Sequence, residues 1–543
     1  MMLFITEMKK LMASLLIAAM VVMAVLEFVN EEVIHADVIK NQNNTCLSTS
    51  GIASPVTPAN EDAPWMGSYV YYGIYSGTPM KYRVLSPNTS VYGGTTMFLD
   101  SDILLFMNTF DQSEPLTNVW LESGIRDYLN GLFLNGSFDS REIRAIYTSS
   151  GNGGCTYPSG SYEELTYVSP ASVDDKIFVL DVAEILNPVY GYSPYPGVIY
   201  NSETFSVGKS ADNHSKVYGA NYTGWWLRTA RKPHVFYTMA GVVWRNGGVD
   251  CASVNSNDVG VSPALNIDLS SVVFSSVISG NLGQIGAEYK LTVIDPDLII
   301  ATPPDRRAMI CGTTVTVPYV ISGTNALNAT RVSVLITRGD YNSADAQLLF
   351  YGELGTGTAG RGTFTLPSGL TLSGWGSDYN VYILAEDING TYETDYASEP
   401  VKLDVPETVV HMYRLYNPNS GEHFYTSSVG ERDHLISLGW NDEGIGWIAP
   451  VTSNTPVYRL YNQYGGEHHY TTSLSERNHL INLGWNDEGI GWYSDDQHRI
   501  PLYRQYNPNA FANNHNYTTS LSENNWLVSL GWRAEGIGWY GAG

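Results

Sequence analysis

Three tyrosine-asparagine pairs, Tyr416-Asn417, Tyr461-Asn462 and Tyr506-Asn507, recur with three tryptophans, Trp440, Trp485 and Trp532, in the last quarter of a 543-residue chain. The first two copies of the pattern, and the second and third, start 45 residues apart. A sugar ring offers an apolar C–H face and a polar rim, so flat aromatic faces bordered by amides suit it. These nine residues are therefore candidate glycan contacts, with Tyr and Trp as platforms and Asn at the rim. The tryptophans also admit a second reading, as core staples of each copy. Arg414, Arg459 and Arg504 stand among the aromatics, and a half-buried charge needs a partner. Glu443, Glu488 and Glu535 are expected to supply it within each copy. His423, His468 and His515 recur too, and can meet near a threefold axis to bind a metal or serve as satisfied structural groups. Glu422 and Glu467 give way to Asn514 in the third copy, which argues for the structural role, so no metal is expected.

Earlier in the chain, Trp225, Trp226, Arg228, Tyr237, Trp244 and Arg245 can line a ligand cleft or form a core. Trp226 and Arg228 join the candidate binding residues on that basis. Asp100 with Asp102, and Asp174 with Asp175, are the closely spaced acids, and they are expected in solvated loops. Gly-x-Ser-x-Gly, His-Glu-x-x-His and a phosphate loop are absent from the sequence, so neither a catalytic residue nor a cofactor is assigned.

The elements that must position the repeated residues are legible copy by copy. Tyr458 to Tyr461 alternates as a strand, Asn462 to Gly466 turns, and His468 to Thr471 returns. Ser473-x-x-Glu476 then matches a capping box, in which Ser oxygen and Glu carboxylate answer backbone donors at a helix start; Ser428 with Glu431 and Ser520 with Glu523 repeat it. Leu480, Ile481 and Leu483 are expected to give the helix an apolar face, and Gly484 follows where a left-handed cap wants glycine. A last strand runs through Gly489-Ile490-Gly491. The unit reads β-β-α-β, and because so small a unit cannot bury its own apolar face, three copies are expected to close around a shared core in a trefoil-like arrangement.

Composition sets the frame around the repeats. Hydrophobic residues make up 43% and charged residues 15%, with 38 Tyr and 52 Gly, which favours β structure and polar, aromatic-studded surfaces. The net charge of −25 argues against nucleic acid and against anionic membranes, and leaves uncharged polymers such as glycans or cell wall as partners. Lys9, Lys10, the apolar run Leu11 to Leu26 and small residues ending at Ala36 read as an export signal cleaved near Ala36, with an uncleaved anchor as the rival. After cleavage no membrane association is expected, and the protein is placed outside the cell or on its surface. Four cysteines, Cys46, Cys155, Cys251 and Cys311, are too few for a disulfide scaffold. A Cys155–Cys251 bridge and unpaired buried thiols both remain open.

The expected divisions are 1–36 signal, 37–62 exposed lead-in, 63–295 an α+β domain, 296–406 a β-sandwich of immunoglobulin-like rhythm, and 407–543 the repeats. In the first domain a hairpin is expected over Tyr69 to Tyr75 and Met80 to Leu85. Helices are expected over Val119 to Leu129 and Ser140 to Ile146, with a turn capped by Asp181. Sandwich strands are expected at Thr313 to Val320, Arg331 to Thr337, Gln347 to Tyr351, Gly362 to Leu366, Tyr379 to Glu386 and Pro400 to Val405.

Two resemblances add to this. The order Tyr82-Arg83-Val84-Leu85, a Trp120 to Leu129 helix, Trp226-Leu227-Arg228-Thr229 and Val261-Ser262-Pro263-Ala264-Leu265-Asn266 resembles a family of uncharacterised exported domains of Gram-positive bacteria. Their pattern is similar to the C-type-lectin-like fold shared with formylglycine-generating enzymes. The likeness spans about 65 to 275 and implies a lectin-like fold; the family often has Arg where this chain has Ser262, and no motif around Cys155 or Cys251 carries the enzymatic activity over. Tyr413 to Thr426 resembles a family of secreted tandem repeats of bacteria and fungi, of unassigned function, commonly placed at the ends of cell-wall hydrolases. That likeness covers about 408 to 540 and implies an accessory module for wall or surface glycans.

Three functions are thus in contention. The first is a non-enzymatic exported protein that binds glycan or cell wall. The second is a wall or polysaccharide hydrolase with its active site in residues 65–275, and the third an adhesin for a host protein.

Overall fold

The computed structural model describes residues 40–543 except 61, 150–174, 195–211, 220, 231–237, 246 and 305–306. The export signal, Cys155, Asp174 and Tyr237 lie outside the described residues. The described chain is mostly β, with several sheets and short helices, and no helix among them is long and apolar enough to cross a membrane. It divides into two compact units: Met1–Asp295 with Tyr341–Leu348 and Glu386–Ala397, and Pro296–Asp340 with Leu349–Ala385 and Ser398–Gly543. Two segments read from sequence as sandwich, 341–348 and 386–397, thus belong to the first unit.

In the first unit the expected hairpin forms as Tyr69–Tyr75 against Thr78–Thr89. Its register shifts between Tyr71 and Ile74, where Gly73 adopts φ +72° and a Cβ would come 2.6 Å from the Phe138 ring. Glycine is required there twice over, for conformation and for space. The sheet continues through Thr96–Ser101 to Ala264–Asp268, and Glu288–Ile294 runs parallel to Tyr69–Tyr75 on the other side. Trp225–Ala230, Met239–Val243 and Val249–Ser253 pair in a second sheet.

The helix expected over Val119 to Leu129 is interrupted. A 3₁₀ turn, Trp120–Glu122, stops at Ser123, whose extended backbone and side chain cap a new helix, Gly124–Tyr128, that runs on into a π turn, Leu129–Phe133. A hydroxyl that can bond a backbone N–H two or three residues on favours a cap over a helix interior. Asp139 with Glu142, and Asp181 with Glu184, each form both halves of a capping box.

In the second unit Thr314–Ser322 lies antiparallel to Ala359–Thr365, and Val315, Val317, Tyr319 and Ile321 enter a core with Val332, Val334, Ile336, Trp375, Val381 and Ile383. Met309 and Ile310 then pair in parallel with Glu407 and Thr408, so the strand that opens the repeats also extends this sheet. Each repeat contributes two paired strands, a nine-residue helix and a third strand. The helices are Val429–Ser437, Leu474–Asn482 and Leu521–Ser529.

Candidate functional site

Two tryptophans recur in every repeat, with a third, Trp526, in the last copy alone, and the fold separates the recurring two. The Trp of the final strand (Trp447, Trp492, Trp539) is buried, with ring centroids 5.3–5.8 Å from its two counterparts. Beside them lie Tyr425, Tyr470 and Tyr517, also buried. Tyr425 Oη donates to the carbonyl of Tyr517 at 2.9 Å, Tyr517 Oη donates to that of Tyr470 at 3.0 Å, and Tyr470 Oη accepts from the amide of Tyr425 at 3.3 Å. The three phenols join the three copies in a closed circuit. These six rings form the shared core, which leaves the other tryptophan of each copy free of that duty.

That second set, Trp440, Trp485 and Trp532, follows the helix stop. Gly439, Gly484 and Gly531 take φ +93°, +93° and +100°, and the next amide, that of the Trp, donates back to Leu435, Leu480 or Leu527 at 3.1–3.2 Å. The turn sets each Trp half-buried at the edge of its copy. Of the apolar face expected on the helix, Leu480 and Ile481 are half-buried and Leu483 is exposed. The repeat helices in the first two copies bury no residue and the third buries only Asn524. Leu438, Leu483 and Leu530 are 58–62% exposed, and Ile445, Ile490 and Ile537 are 46–52% exposed. Tyr416, Tyr461 and Tyr506 are half-buried, each ring against its own copy's His423, His468 or His515 at 4.9–5.3 Å.

The asparagines do different work from that expected. Asn417, Asn462 and Asn507 accept at Oδ1 from the amides of Asn419, Tyr464 and Asn509 at 2.9–3.0 Å, closing the hairpin turns. Each Oδ1 thus serves the turn of its own hairpin, and Asn462 Nδ2 also donates to Glu467 at 3.2 Å.

The charged residues bind the copies together. Arg414, Arg459 and Arg504 pair with Glu443, Glu488 and Glu535 at 2.7–2.8 Å, as the sequence implies. Each also takes a second carboxylate from another copy: Arg414 from Glu523 at 2.8 Å, Arg459 from Glu431 at 3.1 Å, Arg504 from Glu476 at 2.9 Å. Those are the glutamates of the expected capping boxes. Only half of each box forms: Ser428, Ser473 and Ser520 accept from the amide three residues on, while their own amides donate to Thr426, Thr471 and Thr518. The threonine thus releases the glutamate to reach across the junction.

Burial raises the carboxyl of Glu476, but hydrogen bonds from His469, Arg504 and Thr471 outweigh it and hold the group well below the usual carboxylate range. Burial and the adjacent Arg414 push His423 down to about 4, and burial, His469 and Arg504 push His515 to about 3. His468 instead meets Glu422 at 2.7 Å. Among the described residues no three His, Cys, Asp or Glu side chains are placed to hold a metal ion.

The first unit withdraws its candidates. Trp226 is fully buried and its Nε1 donates to the carbonyl of Asn108 at 2.8 Å; the Arg228 guanidinium is locked by Asp181 at 2.9 Å and Glu184 at 2.6 Å. Trp226 thus packs in the core, the alternative the sequence left open, and Arg228 is committed to two carboxylates. The acids are not solvated either. Asp175 is buried and receives Trp120 Nε1 at 2.7 Å and Arg126 Nε at 2.8 Å; Asp102 pairs with Arg83 at 2.9 Å.

Asp100 is fully buried among Lys216 at 2.5 Å, Ser262 at 2.8 Å and the Tyr192 hydroxyl, and Lys216 Nζ also lies 2.6 Å from Ser262 Oγ. Burial, opposed by Asp100, brings Lys216 down to about 8. A lysine beside a serine hydroxyl is a nucleophile-and-base geometry, yet all four side chains are enclosed, so here it balances a buried charge. Lys216 brings this cation to Asp100 from a segment 116 residues away. A cleft of about 500 Å³ between Gly73–Gly77, Ser137–Glu142 and Asn389–Tyr396 completes this unit, and Arg141 at its wall is held by Asp139 and Asp387 at 2.8 and 3.1 Å.

Within the repeats three exposed aromatics are absent from the candidates drawn from sequence. Trp526 is 61% exposed on the third helix, Tyr464 is 80% exposed with its ring near Gly484, and Phe511 in the third copy's insertion is 96% exposed. Alignment of the copies carries a signal for the first, because Trp526 stands where they have His434 and His479.

Comparison with known proteins finds two family matches. Residues 411–542 match a domain of unknown function, DUF5648, and residues 93–269 match another, DUF6273. No curated protein matches. Among solved structures, a DUF3823 family protein from Bacteroides ovatus ATCC 8483 aligns at 14% identity over 35% of this chain and 96% of its own, with a TM-score of 0.15 that carries no argument about fold or function.

Proposed function

We propose that this chain is an exported, surface-associated or secreted protein that binds glycan or cell-wall polymer through its three C-terminal repeats. One observation carries the reading. Each copy repeats a half-buried Trp flanked by an exposed Leu and an exposed Ile, although the core already has its own tryptophan in each copy. Apolar exposure that recurs three times without serving the core marks a binding surface. In the same reading the first unit is lectin-like, the strands from 296 to 406 immunoglobulin-like and the repeats trefoil-like; the order of elements and the closed tyrosine circuit support it.

The hydrolase alternative gains less, since Asp100, Asp102 and Asp175 are engaged by cations and indole. The test is sedimentation of the full chain with purified cell walls and insoluble polysaccharides, beside a variant with Trp440, Trp485 and Trp532 changed to Ala. Binding by the parent and its loss in a folded variant supports the reading. Failure of the parent to bind any glycan would sink it.

A further inference from the structure

The three repeat helices share a pattern of apolar positions but differ on their polar side. Val429, Leu474 and Leu521 begin them, and Leu438, Leu483 and Leu530 end them. Between these the first helix carries Arg432, Asp433 and His434, the second Arg477, Asn478 and His479, and the third Asn524, Asn525 and Trp526. The third copy has thus exchanged a charged, basic-acidic surface for amides and a tryptophan. Its one remaining charge, Glu523, is directed to Arg414 at 2.8 Å.

Helical spacing places Ser522, Asn525, Trp526 and Ser529 on one stripe, since they stand three or four residues apart. All four are exposed. Asn525 Oδ1 receives Asn524 Nδ2 at 3.0 Å, Ser522 Oγ lies 2.8 Å from Ser520 Oγ, and Ser529 Oγ donates to the carbonyl of Trp526 at 2.6 Å. The stripe is one aromatic face bounded by three uncharged hydrogen-bonding side chains. The fold itself needs His or Trp equally little at this position, because the same helix forms with His in two copies.

We propose that this stripe, centred on Trp526, is a platform for an uncharged sugar chain, so that the third repeat is the principal contact and the other two are accessory. The inference rests on the glycan reading above and narrows it. Stacking of a pyranose C–H face on the indole would supply the affinity, and Asn525, Ser522 and Ser529 would meet the hydroxyls. The absence of charge on the stripe, in a chain of net charge −25, selects a neutral polymer over a cationic or anionic one.

The experiment measures binding of the full chain and of W526H and W526F to chitin, cellulose, a neutral β-glucan and purified cell walls, with melting temperature and sedimentation velocity on each protein. His is the native residue of the other copies, so W526H is expected to fold with unchanged melting temperature. The expected result is at least about tenfold weaker binding to a neutral polysaccharide in W526H and near-parental binding in W526F, a loss typical of a buried aromatic anchor. Parental binding with W526H within about twofold of it overturns the platform and leaves the glycan reading standing. No binding by the parent to any polymer overturns both. A parental dimer that W526H converts to monomer, with glycan binding unaltered, assigns the stripe to self-association and overturns the proposal.

Discussion

Replacing Glu476 by Gln separates two accounts of the repeats in one measurement. In a capping box Gln serves almost as well as Glu, so a purely local role predicts little change. In the structure the Glu476 carboxylate spans the junction, with its oxygens 2.9 and 3.1 Å from the two terminal nitrogens of Arg504, 3.2 Å from His469 Nε2 and 2.6 Å from Thr471 Oγ1. The pair is neither enclosed nor free: side-chain exposure is 31% for Glu476 and 17% for Arg504. Exposed ion pairs are worth about 0.2–1 kcal/mol, and breaking a buried one costs about 3–5 kcal/mol. A bidentate, partly buried pair whose Arg keeps Glu535 falls between, at about 2 kcal/mol. For a module of this size that shifts its melting transition by about 4–8 °C. The assay is urea unfolding of the full chain with E476Q, Arg504→Met and the double variant, read by tryptophan fluorescence. A coupling energy of about 1–2 kcal/mol between the two sites is expected. E476Q within about 0.5 kcal/mol of the parent, with no coupling to Arg504, would refute the cross-copy account.

Two further outcomes follow from the same groups. His423 and His515 titrate in the folded chain at about 4 and about 3, below the ordinary value near 6.5, so the folded state binds fewer protons than the unfolded one. Their contribution is complete above about pH 6.5 and is lost as pH falls toward their folded values. The depressed Glu476 and Glu523 act in the same direction below about pH 4.5. Melting temperature should therefore hold level above about pH 6.5 and drop from there to pH 4, and a flat profile throughout would contradict the assignment. In the first unit, Lys216→Met leaves Asp100 buried without its cation and should cost about 3 kcal/mol or more; a calorimetric transition unmoved by the substitution would show that Ser262 and Tyr192 suffice.

Much of the repeat module was legible because its determinants are local. The strand alternation around Tyr458 to Tyr461, the Gly484 stop and the pairing of Arg459 with Glu488 all lie within one copy, and all are present. The second glutamate of each arginine was not legible. Ser-x-x-Glu satisfies a local rule, and nothing in a single copy tells that Thr471 will take over half of the cap and leave Glu476 to a residue 28 positions on. Burial of Asp100 was hidden for a like reason: its cation, Lys216, lies 116 residues away, and closely spaced acids such as Asp100 and Asp102 read as solvated. The glycan candidates divided by burial, which composition does not encode. Trp226 and Trp440 both follow glycine or tryptophan near a strand, yet one is sealed in a sheet and the other placed at an edge by a left-handed turn.

The circuit of arginines and glutamates also constrains how such a protein can change. In an open row of these units, one arginine at one end and one glutamate at the other would lack its cross-copy partner however long the row. A ring has no ends, so every charge is matched only at the copy number the curvature allows. Loss or gain of a single copy therefore carries a penalty that point substitutions on the helix surfaces do not. A substitution on one helix surface, as at Trp526, leaves that circuit of three intact.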